Sequence, residues 1–259
     1  MSNYIYQLVV GLLLPLVGTT LGCSMIFILK KDIDKKVEKV LLGFASGVMI
    51  AASVWSLLIP SIDMASGIKW LPAAVGFMVG ILFLLLLDTV IPHLHLNNDK
   101  PEGLPSKLNK SFMLVLAVTL HNIPEGMSIG VAFGGISSGV SGMTLIGAIM
   151  LAIGIGIQNF PEGAAVSLPL RKEGFSRKKS FFIGQASALV EPISAVIGVI
   201  LVLAVRSILP ILLSFAAGAM ITVAARELLP ESISENKNLS TLGLISGFVL
   251  MMVLDVALG

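Results

Sequence analysis

The chain has 259 residues, of which 12% are charged and 56% are hydrophobic, and its mean hydropathy is +0.98. A soluble fold needs a charged exterior, so this composition excludes a disordered chain, a nucleic-acid-binding domain and an ordinary cytosolic enzyme. The single cysteine, Cys23, excludes a disulfide framework and a CxxC metal site, and the net charge of +2 is too small to define a partner. The composition therefore predicts a polytopic membrane protein.

Apolar runs of about 20 residues, the length that crosses a bilayer, occur eight times along the chain. The sixth and seventh runs are separated only by Arg206 and Pro210, so their boundary is the least distinct. Long continuous runs predict helices rather than a β-barrel, whose strands are short and alternating. We therefore expect residues 1–259 to form one all-α domain. Its predicted spans are 5–29, 39–61, 70–91, 111–134, 143–169, 180–205, 207–229 and 239–258.

The distribution of lysine and arginine orients these spans. The connections after the first, third, fifth and seventh spans carry fourteen of these residues, whereas the opposite connections carry only Lys69 and Arg206. Cytoplasmic loops of membrane proteins are enriched in lysine and arginine. The count predicts that both termini lie outside, and a bacterial inner (plasma) membrane location fits this compact chain.

Two groups of three spans resemble each other. Residues 44–50 (FASGVMI) in span two match residues 215–221 (FAAGAMI) in span seven, and a proline follows each match, at Pro60 and Pro230. Because spans two and seven run in opposite directions, we expect an inverted repeat of spans 1–3 and 6–8 around a central antiparallel pair, spans 4 and 5. Three residues of span three recur at the same spacing in span eight: Gly76, Gly80 and Asp88 match Gly243, Gly247 and Asp255.

The central spans carry two related motifs near their middles. Residues 121–126 read HNIPEG in span four, and residues 158–163 read QNFPEG in span five. Together with span six they place Glu125, Glu162 and Glu191 at a depth where the sequence has no lysine or arginine. An ionised carboxylate at this depth costs several kcal/mol, so these glutamates indicate a functional site neutralised by protons or by a cation.

Helix geometry predicts how the motif side chains are arranged. A helix advances about 100° per residue, so with His121 at 0° Glu125 lies at about 40° and Asn122 at about 100°. The second motif repeats this face on an antiparallel span, which predicts two adjacent pockets that share bridging carboxylates. One pocket would hold His121, Gln158 and the glutamates, and the other Asn122, Asn159, Glu191 and the same glutamates. Imidazole with carboxylate and amide oxygens suits Zn²⁺, Fe²⁺, Mn²⁺ or Cd²⁺.

These motifs, with the eight spans and the Glu-Pro pair in span six, resemble the ZIP (Zrt/Irt-like) family of divalent-metal transporters, in its bacterial, GufA-like branch. The resemblance covers the whole chain and implies a binuclear metal centre in the transport pathway. Asn159 departs from relatives that have aspartate there, which reduces the negative charge of the centre by one. The implied first metal site is His121, Glu125, Gln158 and Glu162, and the second is Asn122, Glu125, Asn159, Glu162 and Glu191.

The same resemblance suggests residues along a pathway on either side of this centre. Residues seven apart on span two share a helical stripe and match an entry path: Met49, Ser56 and Asp63. Residues on the inner side match an exit: Asp88 ends span three, Glu227 could pass metal, and Arg226 could pair with Glu227 or Asp88. His93 and His95 in the following loop could receive emerging metal. Asp255, the symmetry mate of Asp88, receives no role.

The sequence therefore predicts a carrier or facilitator that brings divalent metal from outside into the cytoplasm, with no organic cofactor. An intramembrane metalloprotease would need an HExxH motif, which the sequence lacks. A proton- or sodium-coupled carrier of an organic substrate would leave the His/Gln pair unexplained. Metal preference, driving force, a channel-like mode and a homodimeric state stay open.

Overall fold

The computed structural model describes residues 2–29, 33–94, 101–139, 143–234 and 237–259. Within these ranges, eight helices are long and apolar enough to cross a membrane, and each overlaps one predicted span. This confirms the all-helical polytopic prediction. The helices are α1 (Ser2–Ile28), α2 (Lys35–Met64), α3 (Trp70–Val90), α4 (Lys110–Ser137), α5 (Leu145–Lys172), α6 (Arg177–Ala204), α7 (Arg206–Ile233) and α8 (Lys237–Leu258).

Four helices form the interior of the bundle. In α2, α4, α5 and α7, half or more of the most apolar segment is buried, whereas in α3 and α8 the buried share is only 22% and 17%. Most of the large apolar side chains exposed on α3 and α8 are leucines and valines, which suit contact with lipid tails. Polar side chains carried by the four inner helices are therefore kept away from lipid.

The helices pair as an inverted repeat requires. Helix α1 packs on α5 and α6 packs on α4, while α2 packs on α8 and α7 packs on α3. The repeat relates α1, α2 and α3 to α6, α7 and α8, and α4 to α5. It therefore relates the pair α1–α5 to the pair α6–α4, and the pair α2–α8 to the pair α7–α3. Glycines allow the close approach, since a Cβ at Gly47 would meet the backbone of Leu244 on α8 and a Cβ at Gly218 would meet the backbone of Phe77 on α3.

Short π-helical segments occur at equivalent places in the two halves. Ser53–Leu58 in α2 and Ala224–Leu228 in α7 are π-helical, and each is closed by a bond from a residue to the carbonyl five positions earlier. Proline follows both segments, at Pro60 and Pro230, and cannot donate to the carbonyl four residues back, which favours the wider turn. A third π segment, Leu254–Leu258, ends α8.

The π segment of α2 changes the predicted entry stripe. It lies between Met49 and Asp63, so a seven-residue spacing no longer keeps side chains on one line. Met49 and Ser56 are buried, whereas Asp63 is exposed near the end of the helix. The prediction that all three share a stripe is wrong, because it assumed a regular α-helix throughout.

Helix α6 is interrupted by a turn at Ala188–Leu189. Pro192 lacks the N–H that would bond to the carbonyl of Ala188, four residues earlier, so the helix restarts at Val190. Glu191 is therefore in the first turn of the second half of α6. The break sets this glutamate at the interior of the bundle, where it is 1% exposed.

The two faces of the bundle differ in charge, as the sequence predicts. Contacts at the lysine-rich face join the connections after odd-numbered helices: Arg171 donates to the carbonyl of Leu29 at 3.2 Å, and Ser111 bonds to Glu173. At the opposite, lysine-poor face, the hydroxyl of Thr144 at the start of α5 donates to the carbonyl of Gly259 at 3.3 Å.

Candidate metal centre

The structure brings the residues of the paired motifs together inside the bundle. Helices α4 and α5 supply one motif each, and α6 supplies Glu191. None of the seven residues is more than 7% exposed. The seven residues are His121, Asn122, Glu125, Gln158, Asn159, Glu162 and Glu191.

Gln158 joins the two central glutamates. Its amide Nε2 donates to Oε1 of Glu125 at 2.5 Å and to Oε1 of Glu162 at 3.3 Å. These carboxyl groups lie on different helices, and one amide nitrogen reaches both of them. The amide N–H groups therefore partly compensate the negative charge of the pair.

Asn159 makes the corresponding contact to the third glutamate. Its Nδ2 donates to Oε1 of Glu191 at 2.8 Å and to the carbonyl of Pro15 on α1 at 3.4 Å. On α4, the amide of Asn122 donates to the carbonyl of Ser187 at 3.1 Å, which caps the end of the first half of α6. Each asparagine thus ties a motif to the interrupted helix or to α1.

Six buried oxygen atoms at the centre accept no hydrogen bond from any residue that the structure describes. All six belong to the paired motifs or to Glu191, and all are acceptors, so a further acceptor cannot satisfy them. Buried polar groups are normally paired, and a buried charge without a partner costs several kcal/mol. A donor set made of carboxylate and amide oxygens fits a cation. The six atoms are Asn122 Oδ1, Glu125 Oε2, Gln158 Oε1, Asn159 Oδ1, Glu162 Oε2 and Glu191 Oε2.

The histidine of the first motif contacts a residue of α7. His121 Nε2 pairs with Glu227, and both side chains are nearly buried. A cavity of about 30 Å³ adjoins this pair on the side of the lysine-rich face. Glu162 lines it together with His121, Glu227 and Glu231, so carboxylates continue from the centre towards that face.

This arrangement is not a preformed cluster. Among the described residues, no three histidine, cysteine or acidic side chains are grouped as ligands of one ion. The amides of Gln158 and Asn159 also present N–H groups, not oxygens, to the glutamates.

The residues predicted for the entry path occupy different surroundings. Met49 is completely buried in the main apolar core. Ser56 lines a separate cavity of about 160 Å³ near the lysine-poor face, and its hydroxyl bonds to Asp255. Asp63 is exposed beyond the π segment.

On the exit side, the structure confirms one of the two suggested pairings of Arg226. Its Nε lies 3.5 Å from Oδ2 of Asp88, and its Nη2 lies 3.8 Å from Glu102. His93 is 1% exposed and forms an isolated antiparallel bridge with Glu102, so it is not on an open loop as predicted. The physical reason is that this stretch folds back against the bundle. His95 lies outside the described residues.

Sequence reasoning missed three residues at the ends of the path. Glu231 lines the inner cavity one turn beyond Glu227, a spacing that the sequence already contained. Lys39 is buried and donates from Nζ to the carbonyl of Glu231 at 2.8 Å, although it was counted as a loop residue. Asp255 contacts Ser56, a pairing between α2 and α8 for which the sequence carried no direct signal.

Comparison with known proteins identifies the family. The model of the family described as ZIP zinc transporter matches residues 97–255. The chain is 36% identical to zinc transporter ZIP11 of Homo sapiens, over 98% of both chains. It is 38% identical to zinc transporter ZIPB of Bordetella bronchiseptica, over 93% of this chain and 78% of the relative, and 34% identical to zinc transporter GufA of Myxococcus xanthus, over 94% and 96%. The chain therefore belongs to the ZIP family of zinc transporters, membrane proteins that carry metal ions and are not enzymes.

Proposed function

We propose that this chain, as a single domain, carries zinc from outside into the cytoplasm through a central site that binds two metal ions. Fe²⁺, Mn²⁺ and Cd²⁺ suit the same ligands and would be further substrates. The observation that carries this proposal is the group of six buried acceptor oxygens with no donor among the described residues. A divalent cation satisfies such oxygens where another acceptor cannot.

The amides of Gln158 and Asn159 act as exchangeable partners of the glutamates. In the structure their N–H groups bond to Glu125 and Glu191. Half a turn of either amide group replaces the nitrogen by its oxygen, which converts a hydrogen-bond donor into a metal ligand. The first metal is then held by His121, Gln158 and the two central glutamates, after His121 leaves Glu227. The second is held by Asn122, Asn159 and the glutamates including Glu191.

Metal leaves along the acidic side of α7. Glu227 and Glu231 are four residues apart and line the same small cavity, which lies between His121 and the lysine-rich face. The lysine-rich face lies towards the cytoplasm, since positive loops are retained inside, and both termini lie outside a bacterial plasma membrane. Movement of one group of helices against the other around the centre exposes it to each side in turn, as inverted repeats allow.

Zinc uptake by the purified chain in proteoliposomes tests the proposal. We expect the wild-type protein to fill the vesicles with zinc, and Glu162→Gln and His121→Ala to reduce the initial rate at least about tenfold, because each removes a ligand of the centre. Glu38→Gln, at the first turn of α2, is the control for loss of a carboxylate and should transport normally. Normal uptake by both site variants would refute the site assignment.

A further inference from the structure

The break in α6 releases one backbone carbonyl inside the bundle from its helical partner. In a continuous helix the N–H of Glu191 would bond to the carbonyl of Ser187, and the N–H of residue 192 to that of Ala188. Pro192 has no N–H, and Glu191 donates instead to the carbonyl of Ala188 at 3.0 Å. The carbonyl of Ser187 therefore accepts no backbone hydrogen bond from the described residues, although Ser187 is only 1% exposed.

The side chain of Asn122 on α4 takes the place of the missing N–H. Its Nδ2 donates to the Ser187 carbonyl at 3.1 Å. The nitrogen and the oxygen of an amide group point in different directions from the same carbon, so a bond that fixes the nitrogen also fixes the oxygen. Oδ1 of Asn122 is buried and accepts no hydrogen bond within the described part of the chain. Asn122 is thus held as an oxygen ligand without any rotation of its amide.

The inverted repeat provides an independent comparison. It relates α6 to α1 and Asn122 to Asn159, whose Nδ2 also reaches a backbone carbonyl, that of Pro15, at 3.4 Å. Helix α1 continues unbroken through Pro15, and the hydroxyl of Thr19 also donates to this carbonyl, at 3.3 Å. Because the Pro15 carbonyl is shared, its contact is longer, and Asn159 bonds more closely to Glu191, at 2.8 Å. The break in α6 is what distinguishes the oriented asparagine from the exchangeable one.

We propose that Pro192 is a positioning residue for the second metal ion. By ending the first half of α6 it releases the Ser187 carbonyl, which turns the oxygen of Asn122 towards the metal. This inference rests on the proposed two-metal centre and adds a residue that does not itself contact metal. A partner that orients a ligand typically changes metal affinity roughly 10- to 100-fold. The first metal does not use Asn122, so its affinity is independent of the break.

Zinc stoichiometry of the purified chain tests the proposal. Pro192→Ala restores the N–H, so the helix can continue and the Ser187 carbonyl bonds to Glu191. In equilibrium dialysis we expect the affinity for the second zinc ion to fall at least about tenfold, and that for the first to change less than about twofold. Pro72→Ala is the matched control and should bind both ions normally, because residues in the first turn of a helix have no earlier helical carbonyl to bond.

The two possible failures are distinguishable. Unchanged affinity for the second ion in Pro192→Ala overturns the positioning role, since the wild-type protein would then bind two ions without it. Wild-type protein that binds one zinc ion or none refutes the two-metal centre itself.

A second substitution separates orientation of Asn122 from a general effect of the bend. In Asn122→Asp both side-chain oxygens can bind metal, and neither can donate to the Ser187 carbonyl, which repels them. In this background Pro192→Ala should not weaken the second site, because the N–H of Glu191 then bonds to that carbonyl. A tenfold loss in both backgrounds would show that Pro192 acts on the centre without Asn122, which overturns the proposal.

Thermal unfolding in chelator shows whether the variant folds. Pro192→Ala should unfold close to the wild-type midpoint, since the bond gained within α6 replaces the one lost by Asn122. Pro192→Gly restores the same N–H with a different side chain and should repeat the zinc result. Failure of both variants to fold would show that the bundle itself requires the break, and so overturns a role limited to positioning.

Discussion

Asn159→Asp is the sharpest test of the second metal position. In the structure Asn159 Nδ2 donates to Glu191 Oε1 at 2.8 Å, and the substitution replaces this donor by a second negative oxygen. At that separation two unit charges repel by about 6 kcal/mol for an effective dielectric constant of 20. Movement of the side chains relieves part of this, and we expect a net loss of about 3 kcal/mol without metal, or about 6–12 °C in the unfolding midpoint.

Zinc should reverse the sign of the effect. The additional carboxylate raises the negative charge of the site by one, so we expect the affinity for the second zinc ion to increase at least about tenfold, which corresponds to about 1.4 kcal/mol. Thermal unfolding in chelator and in zinc, together with zinc stoichiometry by equilibrium dialysis, measures both effects.

The matched control for Asn159→Asp is Asn109→Asp. Asn109 caps the start of α4 by accepting from the N–H of Phe112, and aspartate caps a helix equally well. This control adds the same charge far from the centre and should leave both midpoints unchanged. If Asn159→Asp unfolds like the wild type in chelator and gains no additional stability from zinc, the assignment of Asn159 to the metal centre is refuted.

Three further predictions test the packing and both ends of the centre. Gly47→Leu should prevent recovery of folded, monodisperse protein because the side chain collides with the α8 backbone, whereas Gly139→Ala, in open space at φ +68°, should cost only about 1 kcal/mol in thermal unfolding. Arg226→Ala should lower stability by only about 1 kcal/mol, because the Arg226 side chain is half exposed although Asp88 is buried. It should also slow zinc release in efflux assays several-fold, as Asp88 becomes free to hold metal. Gln158→Leu should weaken zinc binding at least about tenfold in dialysis; unchanged affinity would exclude its amide as a ligand.

The sequence alone predicted the membrane architecture well, because length and hydropathy decide which segments cross a bilayer. The eight spans, the repeat and the common depth of HNIPEG and QNFPEG all follow from local patterns. The contact between Arg226 and Asp88 was one of two suggested alternatives, and the family resemblance had pointed to Asp88.

What the sequence did not predict depends on contacts between distant helices or on local hydrogen-bond register. The pairing of His121 with Glu227 joins α4 to α7, and the burial of His93 depends on a bridge to Glu102. The π segments depend on which carbonyl each backbone N–H bonds to, which the sequence does not show directly. Pro60, which follows the first segment, was the one local sign of it. A regular helix was assumed there, which is why the position of Asp63 relative to Ser56 was wrong.

The matched π segments bear on the history of the chain. A π segment corresponds to one residue inserted into an α-helix, and the insertion is found at the same place in α2 and α7. One insertion in an ancestral three-helix unit, before that unit was duplicated, explains both copies with a single event. The segment that ends α8 has no counterpart in α3, which is α-helical from Trp70 to Val90, so that single insertion accounts for two of the three π segments.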